Sequence, residues 1–92
     1  MTKEITKDKT KKEVRVKKEN ERALILVNDD YHTFDYVIDA LIEVCDHSLE
    51  QATQCTIITH YHGKCDVKKG SLKYLKPIRK ALVDKELKAI IN

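Results

Sequence analysis

The stretch "LILVNDDYHTFDYV", residues 24 to 37, carries an apolar run into one amide and two carboxylates before a different periodicity begins. The run "ALILV" at 23–27 is short, aliphatic and partly β-branched, and the polar Asn28-Asp29-Asp30 bounds it, as expected of a buried strand. From Phe34 onward, Val37, Ile38, Leu41, Ile42 and Cys45 recur at the spacing of one face of an amphipathic helix. Thr33 is placed to cap that helix, and Asp35 falls in its first turn, where the helix dipole favours an anion. Strand followed by helix leaves Asn28, Asp29 and Asp30 at the junction. They have two readings: a turn stabilised by side-chain bonds to nearby backbone N–H groups, or a set of acceptors that holds something cationic.

Toward the C-terminus, "SLEQ" at 48–51 is a capping box, with Ser48 reaching forward and Gln51 reaching back. Gly63 supplies a left-handed stop, so a second helix runs from about Leu49 to His62. "KCDVKK" alternates loosely and fits an edge strand whose lysines discourage sheet-to-sheet pairing. Pro77 suits the first turn of a helix better than its interior, which predicts a third helix starting near Leu75 or Lys76 and running through "PIRKALVDKEL". "LKAIIN" closes the chain as a strand. The order β-α-α-β-α-β predicts a small single α+β domain with its helices packed on a three-stranded antiparallel sheet.

Charge is sorted along the chain. Residues 1–22 hold nine Lys or Arg against five Asp or Glu, with few large apolar residues and no aromatic. Such a composition does not offset its ordering entropy, so residues 1–22 are expected to form a flexible basic tail ahead of a core domain at 23–92. From Ala23 to Gly63 there are seven acids and no Lys or Arg, and from Lys64 to Asn92 nine bases against three acids. The net charge of +3 therefore says little about partners. A nucleic-acid arm is weakly supported, since no aromatic interleaves the lysines to stack on bases.

A chain of 92 residues is one domain at most, and one so small buries only about 60 to 65% of its unfolded surface. A large catalytic cavity is not expected. Three cysteines at 45, 55 and 65 are an odd number without short-range pairing, and no apolar run reaches membrane-span or signal-peptide length, which points to a reduced, cytoplasmic protein. His60 and His62 point to different sides of a helix, and no two cysteines lie two to four residues apart, so zinc is disfavoured. Cys45 and Cys55 fit the apolar helix faces as small hydrophobes. With two glycines and no GxSxG turn, neither a phosphate-cradling loop nor a nucleophile elbow is present.

"LVNDDYHTFDYVIDALIEV", followed by "QATQCTIITHYHGK", resembles the ClpS adaptor family over about residues 23 to 64: an apolar strand, Asn-Asp-Asp and a helix, then Ala-Thr-Gln and a later His followed by Gly. The resemblance implies a fold like the C-terminal domain of the ribosomal stalk protein. It implies a non-enzymatic function without cofactor or metal: recognition of proteins whose first residue is large and hydrophobic, and their transfer to a Clp AAA+ unfoldase. The partner implied is the N-terminal domain of a ClpA- or ClpC-like unfoldase, served by a monomeric adaptor without membrane contact.

Carried over by position, Asn28, Asp29 and His60 would meet the substrate's α-amino group and first peptide unit. Asp30, His32, Phe34, Val37, Thr56, Thr59 and Leu87 would line or flank a pocket for the first side chain. The chain departs from the family in three places. Relatives carry bulky apolar residues, often Met, near positions 34 and 56 and Val at 59; this chain has Phe34 but the threonines Thr56 and Thr59. An acidic, Thr-containing helix start implicated in unfoldase docking reads "KYLKPIRK" here. Thr56 is expected to add room and a hydroxyl, favouring aromatic first residues over Leu. Two alternatives stand beside the adaptor: the same fold with a different peptide specificity, and a small basic nucleic-acid-binding protein.

Overall fold

The structure, a computed structural model, describes residues 20–92. The expected basic tail thus lies outside the described residues except for its last three, and Arg22 already opens the first strand. Strand β1 (Arg22–Val27) is followed by helices α1 (Phe34–Cys45) and α2 (Leu49–His62), strand β2 (Lys64–Gly70), helix α3 (Leu72–Asp84) and strand β3 (Lys88–Ile91). This is the predicted order, and the three strands form an antiparallel sheet in the order β2-β1-β3. The aliphatic strand takes the centre, with Leu24, Ile25 and Leu26 buried in succession; the lysine-bearing strands take the edges. Val27, its last residue, faces Lys64 on one side and Lys88 on the other. A bulge between Leu24 and Ile25 leaves Val67 as the extra residue on β2.

The helices cover one face of the sheet. Leu24 and Leu26 of β1 meet Ala40, Leu41 and Cys45 of α1, Ala52 and Cys55 of α2, Val67 of β2, Leu75 and Leu82 of α3, and Leu87 and Ala89. The periodic stripe of α1 enters this core through Leu41 and Cys45, with Val37, Ile38 and Ile42 packed at its margin. Phe34, at the helix start, stays 41% exposed. The caps form as their residue types require. Thr33 accepts from the Tyr36 N–H, and Ser48 from the Gln51 N–H at 3.1 Å. Only this half of the expected capping box forms among the described residues. Gly63 ends α2 at φ +90°, its N–H bonded to the Thr59 carbonyl. Nothing lies within 4 Å of where its Cβ would be, so glycine is needed there for the dihedral and not for space.

The third helix begins a turn earlier than Pro77 suggested. Ser71 caps it by accepting from the Tyr74 N–H at 3.1 Å, and Pro77 is the sixth residue, inside the helix. The gain that offsets the proline is burial: Leu75 and Leu82, two turns apart on one face, are both fully buried, so the apolar stripe starts ahead of the proline. What Pro77 removes is one bond to the Lys73 carbonyl, which the exposed first turn leaves open to water. Gly70, just before the cap, gives its open face to the Tyr74 ring, and a Cβ there would come within 2.5 Å of that ring.

Candidate functional site

The site forms where β1 runs out. The Asn28 N–H donates to the Gly63 carbonyl at 2.8 Å, fastening the strand's end to the C-terminus of α2. Asp29 then folds its carboxylate back on the turn. Its Oδ1 accepts from the N–H groups of Tyr31 at 3.0 Å and His32 at 2.9 Å, and His32 Nδ1 lies 3.1 Å from both carboxylate oxygens. Burial by itself would raise the Asp29 pKa; the backbone and side-chain bonds from His32 and the backbone bond from Tyr31 outweigh it, so the carboxyl titrates below its ordinary value. The turn reading is therefore realised, and the carboxylate that shapes the turn is also kept ionised. Asp30, with its neighbour turned inward, is exposed.

A cavity of about 350 Å³, counting its open mouth, lies beside this turn. Leu26 and Val27 form its back, Asn28, Asp29 and His32 one rim, Phe34 and Val37 of α1 and Thr56, Thr59 and His60 of α2 the walls, and Leu87 the side next to β3. Nine of the ten residues singled out from the sequence meet here; Asp30 does not line the cavity. Leu26 and Val27 were not anticipated, because an apolar strand residue that backs a cavity has the same sequence signature as one that fills a core.

Wall chemistry differs from expectation at the threonines. Thr56 Oγ1 donates to the Ala52 carbonyl and Thr59 Oγ1 to the Cys55 carbonyl, each at 2.8 Å. Both hydroxyl protons are thus committed to the helix backbone one turn earlier, and what Thr56 offers a ligand is a methyl group and an acceptor only. On the opposite wall the Phe34 ring meets His60 edge-on, with centroids 5.2 Å apart, so an imidazole stands at the junction of the polar rim and the apolar wall. His32 is stacked on Tyr36, centroids 4.8 Å apart and planes 19° from parallel.

The remaining chemistry-bearing side chains are placed elsewhere. Cys45 and Cys55 are buried, and burial pushes the Cys45 thiol up to about 11. Among the described residues no group of three or more His, Cys, Asp or Glu is arranged to hold a metal ion. No helix among them is long and apolar enough to cross a membrane.

Known proteins resemble this chain. The Agrobacterium tumefaciens protein ClpS2, solved with L-phenylalaninamide bound, matches with a TM-score of 0.73 over 79% of this chain and 95% of that one; at 20% identity this is a likeness of fold. The Clp protease adapter proteins ClpS of Escherichia coli O1:K1 and of Citrobacter koseri are each 46% identical over 41 residues, covering 45% of this chain and 39% of the relative. The match thus spans about two fifths of the length of these curated relatives. The family model described as "ATP-dependent Clp protease adaptor protein ClpS" matches residues 17–88, most of the chain. With that span, and with the β-α-α-β-α-β order and antiparallel sheet described above, the chain belongs to the ClpS family.

Proposed function

We propose that this chain is an adaptor that binds the free N-terminal residue of proteins marked for degradation, a large apolar or aromatic one, and delivers them to a Clp AAA+ unfoldase. One juxtaposition carries the reading: an ionised carboxylate, an amide and an imidazole, on Asp29, Asn28 and His60, at the rim of an apolar-walled cavity. A substrate's α-ammonium brings three donors and a positive charge, and those three groups can take them. Among the described residues Asp29 pairs with His32 and with no Lys or Arg. The first side chain enters between Phe34, Val37, Thr56, Thr59 and Leu87, past His32, while Asp30 stands outside and faces the peptide that follows. L-Phenylalaninamide, the ligand of ClpS2, has the same three parts: a free amine, an aromatic side chain and an amide in place of the next peptide unit.

In this reading the protein acts as a monomer in the cytoplasm and contacts the N-terminal domain of a ClpA- or ClpC-like unfoldase. Residues 1–22 serve delivery, not capture. The test is fluorescence anisotropy with Phe-first and Leu-first peptides, free or N-acetylated. Acetylation should cost about 2 to 4 kcal/mol, the scale for removing one partner of a charge-assisted contact. Equal affinity for both forms would overturn the reading.

A further inference from the structure

Tyr36 lines no part of the cavity, yet its contacts reach both ends of it. It is the third residue of α1, and its hydroxyl donates to the main-chain carbonyl of Lys85, 49 residues away, at 2.8 Å. Two helical turns further along the same face of α1, Glu43 Oε2 lies 2.9 Å from Lys85 Nζ. One helix therefore grips Lys85 twice, by its backbone and by its side chain. The residue held next to that grip is Glu86, at φ +65°, a left-handed conformation that side-chain-bearing residues rarely adopt. Leu87 follows directly, 4% exposed and facing the cavity, with its N–H on the Leu82 carbonyl at 3.1 Å. Lys88 then pairs with Val27, beside the start of the recognition turn.

We infer that Tyr36 is a positioning residue for ligand recognition: its hydroxyl fixes the turn that carries Leu87 and so sets where the Leu87 side of the cavity stands against a first side chain. The inference rests on the cavity being the N-terminal-residue site proposed above. The ring of Tyr36 is backed by His32, the residue bonded to Asp29, so the tyrosine stands between the carboxylate rim and the Leu87 wall. Removing the hydroxyl alone leaves the ring stack and the Asp29 bonds in place and frees only the Lys85 carbonyl. Its effect falls on side chains long enough to meet Leu87, while capture of the ammonium continues unchanged.

The experiment is an NMR titration of the full chain and its Tyr36→Phe variant with L-phenylalaninamide, L-alaninamide and N-acetyl-L-phenylalaninamide. For Tyr36→Phe, phenylalaninamide affinity should fall about three- to tenfold, the range for one neutral hydrogen bond. Alaninamide, whose methyl stops short of Leu87, should weaken by less than about twofold. The factor lost on acetylation should be the same in both proteins. Amide exchange should quicken at Glu86 and Leu87 and stay unchanged at Leu26, which separates local release from general destabilisation. An unaltered ratio of phenylalaninamide to alaninamide affinity, whether both ligands weaken or neither does, overturns the inference. If the wild-type protein binds the acetylated and free amides alike, the proposed function itself fails and the inference falls with it.

Discussion

The segment from β1 through α2 and the segment from β2 to the C-terminus handle charge in opposite ways. Ten of the eleven residues around the cavity come from the first, which carries no Lys or Arg beyond Arg22; the second supplies nine bases and, of the cavity lining, Leu87 alone. In the second segment four of the nine bases bond to partners within the fold. Lys68 Nζ donates to the Cys45 carbonyl at 2.9 Å, Arg79 Nε to the Ala89 carbonyl at 2.9 Å, and Lys85 pairs with Glu43. Lys80 and Asp84 also pair, but at 76% and 63% side-chain exposure that contact adds little. The contrast teaches that the cavity draws its polar rim from the segment poor in Lys and Arg, where Asp29 pairs with His32 and with no Lys or Arg among the described residues. Recognition and scaffold are then separable.

Substitutions in the two segments should break in different measurements. Leu75→Ala in α3 empties a fully buried position and should cost about 3 to 5 kcal/mol in urea unfolding, with the preference among first residues of the folded protein unchanged. A changed preference would mean that the scaffold also selects. Asp29→Ala should do the reverse, costing about 2 to 4 kcal/mol in peptide binding and about 1 kcal/mol or less in stability. Acid removes the same charge in the wild type. Because the folded carboxyl titrates below the ordinary value of 3.8, its stabilisation of the turn is complete above that value and is lost as pH falls through the lower folded one. A smaller effect sharpens the contrast within the site: Thr56→Met should raise Leu-first affinity about three- to tenfold by adding apolar contact, and Tyr-first affinity less. If the Leu-to-Tyr ratio stays constant, position 56 does not meet the first side chain.

The same division governs what the sequence discloses. β1, α1 and α2 were legible because each carries its own punctuation: an aliphatic run, a stripe of helical period, and Thr33, Ser48 and Gly63 at the ends. The start of α3 was obscured by Pro77, whose preference for a first turn masked the Ser71 cap and the fully buried Leu75 before it. Position matched to motif brought nine of ten expected residues to one cavity, but the direction of the Thr56 and Thr59 hydroxyls is a rotamer choice made within the helix, and no spacing encodes it. The Tyr36 bond to Lys85 spans most of the domain and leaves no local trace.

The bond from the Asn28 N–H to the Gly63 carbonyl has a bearing on how such a site can diverge. It joins the two stretches that hold the proposed ammonium ligands, Asn28 and Asp29 on one side and His60 on the other, through backbone atoms alone. No side-chain exchange other than proline at position 28 deletes it, provided residue 63 keeps its positive φ. The wall positions 34, 56 and 59 can then drift through different sizes and polarities while the rim stays in register, which makes ligand choice mutationally cheap and ligand orientation resistant to change.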